Sequence, residues 1–220
     1  MALDHLVFAA RSLDEGVAWC ETTFGITPSL GGQHPLMGTH NRLFSIASPT
    51  FPRAYVELIA VDPQAPAPTR PRWFDLDAAQ MRAALREGPQ LVHWVARASD
   101  IHAQLAALRT LGLDGGEVLA AERETPRGLL RWHIGVRPDG QRLCSGALPT
   151  WIAWGDIHPT DALPTSGVSL QSLALSQIPD AALAQFTLPS GITGNSAPGM
   201  PALHATLTSP RGCVELRSRC

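Results

Sequence analysis

Residues 1–16, MALDHLVFAARSLDEG, and residues 90–105, QLVHWVARASDIHAQL, decide the fold. Each has a histidine in an alternating apolar run and, seven residues on, a side chain able to cap a helix, Ser12 or Asp100. Setting His5 against His93 also sets Val7 against Val95, Leu13 against Ile101 and Val17 against Leu105. A match that covers strand, cap and helix face together predicts two copies of one unit.

In the first copy LDHLVFAA reads as a strand. SLDE reads as a capping box in which Ser12 reaches forward and Glu15 back. Leu13, Val17, Cys20 and Phe24 keep helical spacing, and Gly25 ends the helix. In the second copy Asp100 caps and Ile101, Leu105, Leu108 and Leu111 form the stripe. After the first helix come a strand, a glycine-rich turn region, a strand near 42–48 and the strand RAYVELIAVDP; GGEVLAAERE, GLLRWHIGV and TWIAWGDIHP follow the second. Each unit is therefore β-α-β-β-β. Period 2 places His5, Val7 and Ala9 on one face of the first strand, with Leu6 and Phe8 under the helix. It also sets Tyr55, Glu57 and Ile59 on one face of the fourth.

The expected architecture is α+β: tandem modules over 1–160 (1–63, a connector at 64–89, and 90–160), then a truncated third module at 161–220 on the same domain. The connector begins proline-rich and holds a helix near 76–87. In the tail, GVSLQSLALS reads as a strand, IPDAALAQF as a short helix and ALHATLTSPRGCVELRS as a hairpin turning at SPRG.

Composition narrows the function. The hydrophobic fraction of 45% is that of a packed globular protein, and a net charge of -2 with scattered arginines argues against nucleic acid. All 17 basic residues are arginine, which removes Schiff-base lysines and the P-loop lysine. The four cysteines form no C-x-x-C pair and read as reduced thiols, Cys20 on a helix and Cys220 on a frayed tail. No segment has signal-peptide or membrane-span character, so the expectation is a cytoplasmic protein with a small-molecule ligand, no membrane and no nucleic-acid partner; oligomeric state is open.

GGQHPLMGTHNRL predicts a loop beside the cleft, with His34 as an acid or base and Asn41 facing a ligand; the competing reading is a structural hairpin with an exposed His40. RPRWFDLD offers Arg72 as an anion site beside Trp73 and Phe74, or else an anchor for the connector. Trp132, Trp151 and Trp154 read as core or cleft lining, and only one of Trp132 and His133 faces the cleft. His102, early in a helix, reads as solvated.

The duplicated unit, with DHLVF on first strand and YVEL on last, resembles the vicinal oxygen chelate superfamily of glyoxalase I, extradiol dioxygenases and bleomycin-resistance proteins. With GGQHPLMGTHNRL and RPRWFDLD it resembles the bacterial glyoxalase-like domain proteins across roughly residues 3 to 160. The resemblance implies a cleft holding a divalent metal (Fe, Mn, Ni or Zn), with His5, Glu57 and His93 as ligands, Glu57 and His34 as catalytic groups, and Asn41, Tyr55, Arg72, Trp73 and Trp154 against the substrate. It implies a lyase, isomerase or dioxygenase acting on a small oxygenated metabolite; the alternative is a metal-free binding protein of the bleomycin-resistance type. The departure lies on the last strand of the second copy, where Ile152 or Ala153 is expected in place of Glu57.

Overall fold

A computed structural model describes residues 1–125 and 127–219. The first module runs β1 (Ala2–Ala9), α1 (Leu13–Phe24), β2 (Ser29–His34), β3 (Thr39–Ser45) and β4 (Tyr55–Val61). A short helix α2 (Ala79–Ala84) lies in the connector, and the second module runs β5 (Gln90–Arg97), α3 (Ile101–Thr110), β6 (Glu117–Thr125), β7 (Gly128–Val136) and β8 (Thr150–Trp154). These eight strands form one sheet in the order β2-β3-β4-β1-β5-β8-β7-β6. First and last strands of each module pair in parallel, β1 with β4 and β5 with β8, and antiparallel β1 and β5 join the modules.

Leu6 and Phe8 of β1 bury against Cys20 and Phe24 of α1 in one apolar cluster, while Val7 and Ala9 belong to a second cluster on the opposite, concave face. Helix α1 lies close on β4 because Gly16 has no side chain: a Cβ there would stand 2.7 Å from Leu58 Cδ1. Gly25 ends α1 at φ 75°, as its position foretold. The N-terminal box is only half made. Ser12 Oγ accepts from Glu15 N at 3.2 Å, but the Glu15 carboxylate pairs with Arg11 instead of reaching back.

The tail forms β9 (Ser169–Leu175), α4 (Asp180–Gln185), β10 (Ile192–Gly194), β11 (Leu203–Ser209) and β12 (Gly212–Arg217). The β-α-β-β-β order returns, with the hairpin turning at Pro210 and Arg211, but the sheet order is β10-β9-β11-β12, with first strand β9 antiparallel to β11. Leu170, Leu173, Leu203, Ala205 and Leu207 join the helix-side cluster with Trp151. The small sheet thus covers apolar surface that two helices alone leave open, and it stays out of the cleft. Cys220 lies outside the described residues.

Two local expectations are corrected. Only Pro35–Gly38 turns in the glycine-rich stretch: Gly31, Gly32 and His34 belong to β2, and β3 begins at Thr39. The connector helix is six residues long, not 76–87. Asp77 folds back to accept from Arg72 N at 2.8 Å, and Phe74 and Asp75 take left-handed backbone at φ 59° and 58°, so helix cannot begin there.

Candidate functional site

The concave face of β1, β3 and β4 holds a chain of buried polar groups. Asp4 Oδ1 is 2.7 Å from His5 Nδ1, and His5 Nε2 is 3.6 Å from Glu57 Oε2. The other Glu57 oxygen accepts from Asn41 Nδ2 at 2.6 Å and lies 3.7 Å from His34 Nε2. Asn41 Oδ1 accepts from Gly32 N at 2.8 Å, which fixes the amide so that its NH2 faces Glu57 and His34. His34 Nε2, 3.3 Å from that NH2, is therefore the acceptor nitrogen, and Nδ1 carries the hydrogen toward Thr39 Oγ1 at 3.0 Å.

Charge follows from these partners. Burial alone would lower the His5 pKa, but Asp4 and Glu57 on its two nitrogens outweigh it and raise it to about 9. Burial would raise the Glu57 carboxyl, yet His5, His34 and Asn41 bring it down to about 2. His34 is held neutral, down to about 4, because burial exceeds the pull of Glu57. Asp4 stays ionised against the penalty of burial through His158 and His5; Arg97 and Trp154 also reach it, at 3.2 and 3.1 Å.

His93 occupies the matching place on β5. Its Nε2 accepts from Thr150 N at 3.1 Å and lies 3.0 Å from Thr150 Oγ1, and Phe74 packs on its ring at 5.1 Å. Burial, then Arg142 and His5, lowers its pKa to about 3. The register corrects the expected counterpart of Glu57: Val7 pairs with Glu57 and Val95 with Thr150, so Thr150, not Ile152 or Ala153, stands there.

Trp73 and Phe74 stack at 5.3 Å and enter the cleft from the connector, dividing it. On one side a cavity of about 40 Å3 is lined by His5, His34, Asn41, Tyr55, Glu57 and Arg123, with Trp132 and Trp154 at its walls. On the other, about 30 Å3 remains beside His93, Thr150 and Arg142. Tyr55 stacks on His5 at 4.6 Å. Trp151 faces away, against Phe186, and His133 is exposed, leaving Trp132 to the cleft. His40 is half-buried, 4.0 Å from Asp62.

Of the residues expected at the site, His5, His34, Asn41, Tyr55, Glu57, Trp73 and Trp154 come together around one cavity; His93 lines the other, and Arg72 lines neither. The Arg72 guanidinium is taken by Asp77 at 2.8 Å, so it anchors the connector and is not offered to an anion. Sequence reading missed Asp4, Thr150, His158 and Arg123. Asp4 escaped because it is the extra residue of a bulge, Leu3 pairing with Ala96 and His5 with Val95, which breaks the period-2 rule at that point.

The divalent ion that the fold class implies needs free nitrogen and oxygen donors converging on one point. Here the lone pair of His93 Nε2 is engaged by a backbone N–H, so His93 does not complete a set with His5 and Glu57. Among the described residues no group of three or more His, Cys, Asp or Glu side chains is arranged to hold a metal.

A tandem β-α-β-β-β sheet curled around a polar cleft defines the vicinal oxygen chelate class. Within it, the family described as Glyoxalase-like domain matches residues 3–188, and the chain belongs to that family. No curated protein sequence matches it. Among solved structures, a hypothetical protein from Staphylococcus aureus is similar over 98% of this chain and 85% of its own, at 15% identity and a TM-score of 0.55. A Streptomyces coelicolor methylmalonyl-CoA epimerase variant with bound 2-nitronate-propionyl-CoA is 19% identical over 72% of this chain and 97% of its own, TM-score 0.44. The Mycobacterium tuberculosis methylmalonyl-CoA epimerase is 18% identical over 70% and 86%, TM-score 0.39.

Proposed function

We propose that the protein is an enzyme that moves a proton on a small oxygenated metabolite, an isomerase or lyase, with His34 as the base. The observation that carries this reading is the fixed His34–Asn41–Glu57 arrangement on a cavity wall. Gly32 sets the Asn41 amide and the amide sets the His34 tautomer, so the unprotonated nitrogen is Nε2, whose lone pair rests on the Asn41 NH2 and passes to the substrate proton when that contact opens. When His34 takes a proton on Nε2, Glu57 Oε1, 3.7 Å from that same nitrogen, stabilises the imidazolium by its charge. His5, protonated between two carboxylates, keeps Glu57 ionised for that task. Asp4 in turn holds His5 in orientation.

Incorporation of solvent deuterium, followed by proton NMR on a panel of dicarbonyls, catechols and 2-oxoacids, tests the proposal. Exchange that falls by roughly 10²–10⁴-fold in His34→Ala is the expected result; no exchange with any compound, or exchange unchanged in the variant, overturns it. Repeating the panel with Fe(II), Mn(II), Ni(II) and Zn(II), with oxygen uptake and loss of the catechol resonances also followed, tests the metal-dependent forms of the reading, the dioxygenase included. The second reading, a metal-free binding protein, is favoured by the tryptophan walls; it expects saturable binding without turnover.

A further inference from the structure

The two outer strands of the eight-stranded sheet, β2 and β6, meet across the cleft at one side chain. Arg123 leaves β6 and lays its guanidinium over Gly32 of β2, where a Cβ would stand 2.1 Å from Nη1 and 2.5 Å from Cζ. The missing side chain of Gly32 leaves the room that the guanidinium occupies. Arg123 lines the same cavity as His34, Asn41, Tyr55 and Glu57. Its Nη1 is buried and has no hydrogen-bond partner among the described residues. Glu57 and Tyr55 are the acidic groups whose charge it feels, and neither bonds it. A buried guanidinium nitrogen left without an acceptor is costly, and an oxygen entering the cavity, from water or from a ligand, relieves that cost.

We propose that Arg123 is the anchor for a carboxylate of the ligand, so that the substrate is a small carboxylic acid. The chemical class follows from fit. A guanidinium is a planar fork matched to a planar carboxylate. The cavity is small, about 40 Å3, and opens to solvent on one side, which limits the ligand to a small acid. Arg123 comes from the second module and His34, Asn41 and Glu57 from the first, so an acid bound in this cavity lies between the two modules.

The proposal rests on the cavity being the substrate site, and its test separates the two ideas. Glycolate, lactate and pyruvate are titrated calorimetrically against their uncharged amides, with melting curves to confirm folding. The expected result is binding of an acid but not its amide. Arg123→Met should weaken acid binding at least tenfold, with Arg123→Lys in between. Gly32→Ala, which keeps the charge but displaces it, should weaken binding as well. Acid and amide binding alike, no acid binding at all, or full affinity in folded Arg123→Met overturns the proposal. Should Arg123→Met fail to fold, Gly32→Ala and the acid-to-amide comparison on the wild type still decide. Arg123-dependent acid binding without deuterium exchange removes the proton-transfer reading alone; exchange into amides as fast as into acids removes only the carboxylate anchor.

Discussion

Thr150 stands to His93 as Glu57 stands to His5: Val95 pairs with Thr150 in the parallel ladder of the second module as Val7 pairs with Glu57 in the first. The two copies thus share the position and differ in what stands there, a carboxylate in the first and a hydroxyl in the second. His93, facing no carboxylate, is neutral, whereas His5 between two is charged. Thr150→Val keeps the backbone N–H that His93 accepts and removes only the hydroxyl contact. Urea melts at pH 7 should show a loss of about 1 kcal/mol, with the His93 ring still neutral by NMR titration.

Stability should have an alkaline limb set by His5. Its folded pKa of about 9 lies above the unfolded 6.5, so its contribution is complete below pH 6.5 and is lost as pH rises toward 9. His34 and His93 act on the other side. Their folded values, about 4 and about 3, lie below 6.5, so what they contribute is complete above 6.5 and falls away in acid. The melting temperature should peak near neutrality, and His5→Gln should flatten the decline between pH 6.5 and 9. An unchanged slope in that variant would assign the limb to another group.

Glu57→Ala takes one of two partners from the His5 imidazolium and from the Asn41 NH2, leaving Asp4 to the first and His34 to the second. A loss of about 1–3 kcal/mol is expected. Melts of wild type and variant, with and without chelator, separate this from a metal-ligand role: for a ligand, chelator lowers the wild type and leaves the variant unmoved.

Gly32→Ala drives a methyl group into the Arg123 guanidinium. Because that group is the end of a flexible side chain it can move away, and the cost should stay within about 1–3 kcal/mol. Gly116→Ala should cost more, since the Cβ would meet the backbone oxygen of Val136 at 2.2 Å and the residue sits at φ 91°. Chemical denaturation of the two variants side by side gives the ranking.

The left-handed pair Phe74 and Asp75 is held down by Arg142, whose Nε meets Asp75 Oδ2 at 2.7 Å, and by the Gly140 carbonyl, which accepts from Asp75 N at 3.0 Å. Asp75→Ala removes the carboxylate from the Arg142 guanidinium, which keeps its bonds to the Val92 and Ser145 carbonyls, and should cost about 1–3 kcal/mol. It should also free the Trp73 and Phe74 rings, seen as stronger acrylamide quenching of tryptophan fluorescence at temperatures where the fold is intact.

Much of the fold was legible because it depends on short-range pattern. The alternation in LDHLVFAA, the Ser12 and Asp100 caps and the Gly25 terminus are local, and repeating them 88 residues apart predicts the pairing of two modules. The same alternation brought His5 and Glu57 to one face, where they lie 3.6 Å apart. It failed at Asp4, where a bulge spends an extra residue, and at Phe74 and Asp75, whose conformation is imposed by partners 65 or more positions away, Gly140 and Arg142.

By itself the sequence determined the α+β modules, the concave and helix-facing sides of each strand, and the residue types available for chemistry, since these follow from periodicity and side-chain class. Only the tertiary structure decided which residues meet. Register made Thr150 the partner of His93, closure of the sheet brought Arg123 over Gly32, and Asp77 took Arg72 out of the site. A one-residue change of register or a single long-range ion pair redirects a side chain completely, and neither leaves a trace in local pattern.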